Sequence, residues 1–90
     1  MADVEAPITI LYFAWLRERT GVSEESVTLP QGVQSVGTLI GWLAERSSGH
    51  ASAFANRRSV RCAVNQEFAD PATRVGPGDE VAFFPPVTGG

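Results

Sequence analysis

The sequence predicts an α+β fold, with one main helix packed across one face of a mixed β-sheet. Two observations carry that expectation. Strand-like segments fall in pairs before and after a single convincing helical pattern at 35–46. Those segments are short, rich in β-branched and aromatic residues, and bounded by glycine and proline. With 90 residues, the chain has room for one domain with a modest core and none for a deep enclosed pocket.

Each element follows in order. Residues 1–7 read as a loose leader, with Asp3 and Glu5 in place of the apolar stretch a secretory signal needs. Ile8 to Phe13 is a strand, and Ala14 to Arg19 makes one or two helical turns ended by Thr20-Gly21. Glu25 to Leu29 is a second strand, stopped by Pro30 and Gly32. Ser35 to Arg46 is the main helix. The Ser35 hydroxyl suits an N-cap, and Val36, Leu39, Ile40 and Leu43 share one face. Gly37 and Gly41 each weaken it by roughly 1 kcal/mol relative to alanine and suggest a close backbone approach to the sheet. Ser47-Ser48-Gly49 ends it. His50 to Arg58 reads as a connection, with His50 a loop residue.

Val60 to Val64 is the third strand, with Val60, Cys62 and Val64 on one face. Asn65-Gln66 turns it into the short strand Glu67-Phe68. Asp70-Pro71 and Gly76-Pro77-Gly78 are turns, and Gly78-Asp79 aims the last strand, Glu80 to Phe84. Pro85-Pro86 stops that strand, because proline donates nothing to a ladder. The folded domain therefore spans 8–86, and 87–90 form a tail.

A single helix covers one face of a sheet, so alternation sorts the strand residues. Ile8, Ile10, Tyr12, Val81 and Phe83 are assigned to the core. Leu11, Phe13 and Phe84, with Phe68, then lie on the uncovered face, an apolar patch suited to docking partners. A reversed register would exchange the two sets.

Composition narrows the function. The net charge is -3, and all seven cations are arginine. Nucleic acid is a poor partner for such a chain. Arg57, Arg58 and Arg61 cluster, and read as a solvated loop and strand start rather than an anion site. Arg17 is as consistent with an acidic partner surface as with solvent. Cys62 is the lone cysteine, so no internal disulfide or Cys-x-x-Cys motif exists. Between valines it reads as a small buried hydrophobe rather than a sulfur relay. His50 is the lone histidine and has no metal or triad companions. No metal site, bound cofactor or catalytic set is expected within the chain. No apolar run reaches membrane-spanning length, so the expected location is the cytoplasm.

That leaves Val87-Thr88-Gly89-Gly90. Extended, these four residues reach about 13 Å beyond Pro86. With no side chains at its last two positions, the tail fits a channel too narrow for other residues. Its carboxylate is anionic at neutral pH and needs activation, usually adenylation, before it can react as an acyl group.

The segment Gly78-Asp79-Glu80-Val81-Ala82-Phe83-Phe84-Pro85-Pro86-Val87-Thr88-Gly89-Gly90 resembles the C-terminus of the molybdopterin synthase small subunit, the MoaD family. Tyr12-Phe13-Ala14-Trp15-Leu16-Arg17-Glu18 and Ala63-Val64-Asn65-Gln66 resemble the same family. The resemblance implies a β-grasp, ubiquitin-like fold. It implies that a ubiquitin-activating-like adenylyltransferase uses ATP to adenylate Gly90, and that a persulfide relay converts the product to a thiocarboxylate. It implies that the tail, Gly89-Gly90 led by Pro85, Pro86, Val87 and Thr88, enters the active site of the synthase large subunit, in a heterotetramer. Sulfur then passes to a pterin precursor to build the dithiolene. Phe84 and Phe68 match docking positions, and the catalytic residues belong to the partner. Three alternatives stay open: a ubiquitin-like modifier joined to target proteins through Gly90, a sulfur carrier for another product such as thiazole, and a passive interaction domain in which deleting Gly89-Gly90 changes nothing.

Overall fold

Alternation in two strands builds the centre of the sheet. Along β1 (Ile8–Tyr12) every second residue is buried, and β5 (Glu80–Phe84) repeats the pattern through Val81 and Phe83. The two strands lie parallel, with Tyr12 opposite Phe83. Their rings stack with centroids 6.1 Å apart. The computed structural model describes residues 6–86. β2 (Glu24–Val27) runs antiparallel to β1, β3 (Arg61–Val64) antiparallel to β5, and β4 (Glu67–Ala69) antiparallel to β3. The order is β2-β1-β5-β3-β4, a mixed five-stranded sheet in the β-grasp arrangement.

α2 (Val36–Ala44) supplies the apolar layer. Val36, Leu39, Ile40 and Leu43 are all buried, as their spacing predicts. The Ser35 hydroxyl accepts from the Thr38 amide at 3.3 Å, and the Thr38 hydroxyl accepts from the Ser35 amide at 3.1 Å, closing a reciprocal cap. Each large side chain buried in this core contributes roughly 1.5–3 kcal/mol. Gly37 does bring the backbone close, but to a turn rather than the sheet. Its amide donates to the Pro71 carbonyl at 2.9 Å.

The reading of 47–58 as helix end and connection is corrected. Ser47 caps a further helix, α3 (Ser48–Ala53), by accepting from the His50 amide. Phe54 then enters the core against Phe83, centroids 5.0 Å apart. Arg57–Ser59 form a 3-10 turn capped by Asn56. His50 is accordingly a buried helical residue, 7% exposed, not a loop residue. α3 packs beside α1 (Trp15–Thr20), whose Leu16 is fully buried. Gly49 makes that approach possible, since a Cβ there would collide with the Arg19 carbonyl.

Candidate functional site

The site is the open face of the sheet together with the place where the chain leaves it. Strand register puts Leu11 beside Ala82, Ala82 beside Ala63, and Ala63 beside Phe68, one row across four strands. The two alanines make the middle of that row shallow, with Leu11 and Phe68 standing at its ends. Phe84 lies on the same face, its ring 6.0 Å from that of Phe68. Phe68 is 85% exposed and Phe13 is 48% exposed, while Leu11 and Phe84 are half-buried. Alternation thus assigned both faces correctly, because every inward residue of β1 and β5 is buried. Beside Phe68 and Phe84 lies a recess of about 310 Å³, also lined by Arg61, Cys62 and Ala69.

Two turns aim β5 across this face. Asn65 and Gln66 both take positive φ, turning β3 back into β4. The Asn65 side chain then donates to an Asp79 carboxylate oxygen at 3.0 Å and accepts from the Glu80 amide at 3.0 Å. The other Asp79 oxygen accepts from the Gly76 amide at 2.9 Å. Gly78, at φ 86, permits the tight turn that begins β5. At the far end of β5, Phe84 pairs with Arg61, and half-buried Pro85 and Pro86 carry the chain off the sheet there. Val87, Thr88, Gly89 and Gly90 lie outside the described residues.

The remaining residues singled out from sequence fall away from this row. Arg17 is exposed on α1. Cys62 is buried, as its alternation predicts, and its thiol faces the Ala69 carbonyl at 3.6 Å. Burial, and after it the charge of Asp70, pushes that thiol above its ordinary range, which suits an inert residue. Among the described residues no cluster of histidine, cysteine and carboxylate side chains could hold a metal. None of their helices is long and apolar enough to cross a membrane.

One polar cluster was not legible in the sequence. The Tyr12 hydroxyl donates to a Glu25 carboxylate oxygen at 2.7 Å, and His50 Nε2 donates to the same oxygen at 2.8 Å. The Ser47 hydroxyl lies 2.8 Å from His50 Nδ1. Burial, then the Glu25 hydrogen bond and charge, push the Tyr12 phenol above its ordinary range, so it remains a donor. No single stretch of sequence contains this group, which joins β1, β2 and α3.

The comparisons with known proteins now have a geometry to meet. A family model described as the ThiS family matches residues 10–90. The chain belongs to the ThiS family. The match runs from β1 across the open face and through Gly89-Gly90. Among curated ThiS-like relatives, the molybdopterin synthase sulfur carrier subunit of Homo sapiens is 34% identical over 86 residues, covering 92% of this chain and 93% of the relative. Among solved structures, a molybdopterin converting factor subunit 1 from Pyrococcus furiosus superposes with a TM-score of 0.75 at 31% identity, covering 91% of this chain and 99% of that one. The small archaeal modifier protein 1 of Haloferax volcanii superposes with a TM-score of 0.71 at 27% identity, covering 91% and 99%.

Proposed function

We propose that this chain is the sulfur carrier subunit of a molybdopterin synthase, acting in the cytoplasm. The observation that carries the reading is a family match that continues to Gly90, in a chain whose curated relatives bear that name. The open face supports it, because an apolar row crosses the strand that leads into the tail.

In this reading Gly90 is a cosubstrate. Its carboxylate attacks the α-phosphorus of ATP on a ubiquitin-activating-like adenylyltransferase, and pyrophosphate leaves. A persulfide sulfur then attacks the acyl carbon and expels AMP, leaving an acyl disulfide. A second thiol cleaves the sulfur–sulfur bond, releasing the thiocarboxylate and forming a disulfide with the donor. The tail enters the synthase large subunit, in a heterotetramer, and its sulfur passes to the pterin precursor. The apolar row, with Phe68, Phe84, Phe13 and Leu11, docks the domain while the partner performs the chemistry.

The test is intact mass after incubation with ATP, the adenylyltransferase and a sulfur donor. Replacement of one oxygen by sulfur, abolished by removing Gly90, supports the carrier. An unchanged mass, with an enzyme active on another carrier, sinks it. A second reading, a protein modifier, is favoured by the superposition on small archaeal modifier protein 1. It requires isopeptide-linked adducts of Gly90 on lysines of other proteins, recoverable from cells under denaturing conditions.

A further inference from the structure

The chain leaves its sheet at a cationic corner. Arg61 pairs with Phe84, the last residue of β5, so Pro85 and Pro86 depart beside the 3-10 turn that carries Arg57 and Arg58. This corner holds three of the seven arginines of a chain whose net charge is -3. All three are exposed. Among the described residues, the only ion pairs join Glu25 to Arg46 and His50, so none of the three meets a carboxylate.

The corner is also held in shape. Arg61 Nη1 donates to the Arg58 carbonyl at 2.9 Å and folds its guanidinium back over the turn. Arg57 reaches the other way, over α2, where its Nη2 lies 3.6 Å from where a Cβ on Gly41 would sit. Arg57 and Arg61 thereby flank a second cleft of about 310 Å³, floored by Ile40, Val60 and Cys62. Arg61 also borders the recess beside Phe68 and Phe84, so the charge is continuous with the apolar face.

We infer that Arg57, Arg58 and Arg61 dock an acidic surface of the synthase large subunit, at the mouth of the channel that takes the tail. This rests on the carrier reading. In that reading Gly90 reacts inside the partner, and it is the fourth residue beyond Pro86, an extended reach of about 13 Å at most. The channel mouth therefore lies within about 13 Å of Pro86, and a lip that closes on the corner comes inside the Debye length of about 8 Å at physiological salt, where charges still act. Exposed guanidiniums at that distance raise the association rate toward an acidic lip and repel a basic one.

The experiment measures association of the full chain with the large subunit at about 50 mM and about 500 mM salt. R57E and R58E, each alone and together, are compared with R74E, which makes the same two-unit charge change as either single variant at an exposed position outside the corner. R57Q/R58Q guards against a folding defect, since it removes charge without reversing it. The expected result is a drop of about tenfold or more in the low-salt association rate for R57E/R58E, with a smaller drop for R57Q/R58Q and for R74E, and with rates converging at high salt. Wild-type binding with equal rates and equal salt dependence in all variants overturns the arginine contact and leaves the carrier reading standing. Charge reversal that abolishes binding to a homopolymeric RNA, with the subunit unaffected, also overturns it. A wild-type chain that does not bind the subunit overturns the carrier reading itself.

Discussion

Glu25 and His50, separated by 25 positions, meet at 2.8 Å and tie the edge strand β2 to α3. Burial alone would raise the Glu25 carboxyl. The hydrogen bonds from Tyr12 and His50, with the charges of His50 and Arg46, outweigh burial and hold it below its ordinary value. A group lowered on folding stabilises the fold above its unfolded value, and that stabilisation is lost as pH falls through the folded one. Glu25→Ala leaves the Tyr12 hydroxyl and His50 Nε2 without their acceptor, and is expected to lower stability by about 2–3 kcal/mol near neutral pH. The gap from wild type should hold from neutral pH to about pH 5 and narrow only below the ordinary carboxyl value of 4.5, as the folded carboxyl takes up its proton. Urea unfolding of both proteins across that range checks it. A gap independent of pH would mean that the carboxylate charge contributes nothing.

Gly49 gives a prediction whose sign is informative. In an exposed helix interior, glycine to alanine gains up to about 1 kcal/mol. At Gly49 the new Cβ meets the Arg19 carbonyl, a backbone atom that cannot swing aside. Gly49→Ala is therefore expected to lose about 1–3 kcal/mol by prying α3 from α1. Gly41→Ala is the contrast: its Cβ finds only the Arg57 guanidinium, at an ordinary 3.6 Å, and should stabilise α2. Thermal or urea unfolding of the two variants checks both signs.

Local pattern explains what could be read in advance. β1, β5 and α2 carry their own periodicity, so Ile10, Phe83 and Leu39 announce their burial without help from the rest of the chain. The turns at Asn65-Gln66 and Gly78 rest on residues that accept positive φ. α3 has no such signature. Ser47-Ser48-Gly49 reads as a helix end, and only His50 and Ala53 of the helix itself are buried. What makes it a helix lies elsewhere, in Glu25 of β2 and in the fit of Gly49 against Arg19. The arginine corner was visible as composition, but its place beside the exit of β5 required the pairing of Arg61 with Phe84. Thiocarboxylate chemistry enters only through the resemblance, because it concerns Gly90, a residue with no side chain from which a pattern could announce it.

Phe68 and Phe83 separate docking from folding. Phe83 is fully buried between Tyr12 and Phe54, and Phe83→Ala should cost about 3–5 kcal/mol of stability. Phe68 is 85% exposed on β4, opposite Ala63, and its removal opens no cavity. Phe68→Ala is expected to leave stability within about 0.5 kcal/mol of wild type. A large aromatic ring at the end of a shallow row is nevertheless a natural anchor for a partner. In the carrier reading, Phe68→Ala should weaken binding to the large subunit about tenfold or more, equivalent to about 1.4 kcal/mol. Calorimetric binding beside urea unfolding of the same samples decides it. Unchanged affinity together with unchanged stability would remove Phe68 from the interface and move the docking surface toward Leu11 and Phe13.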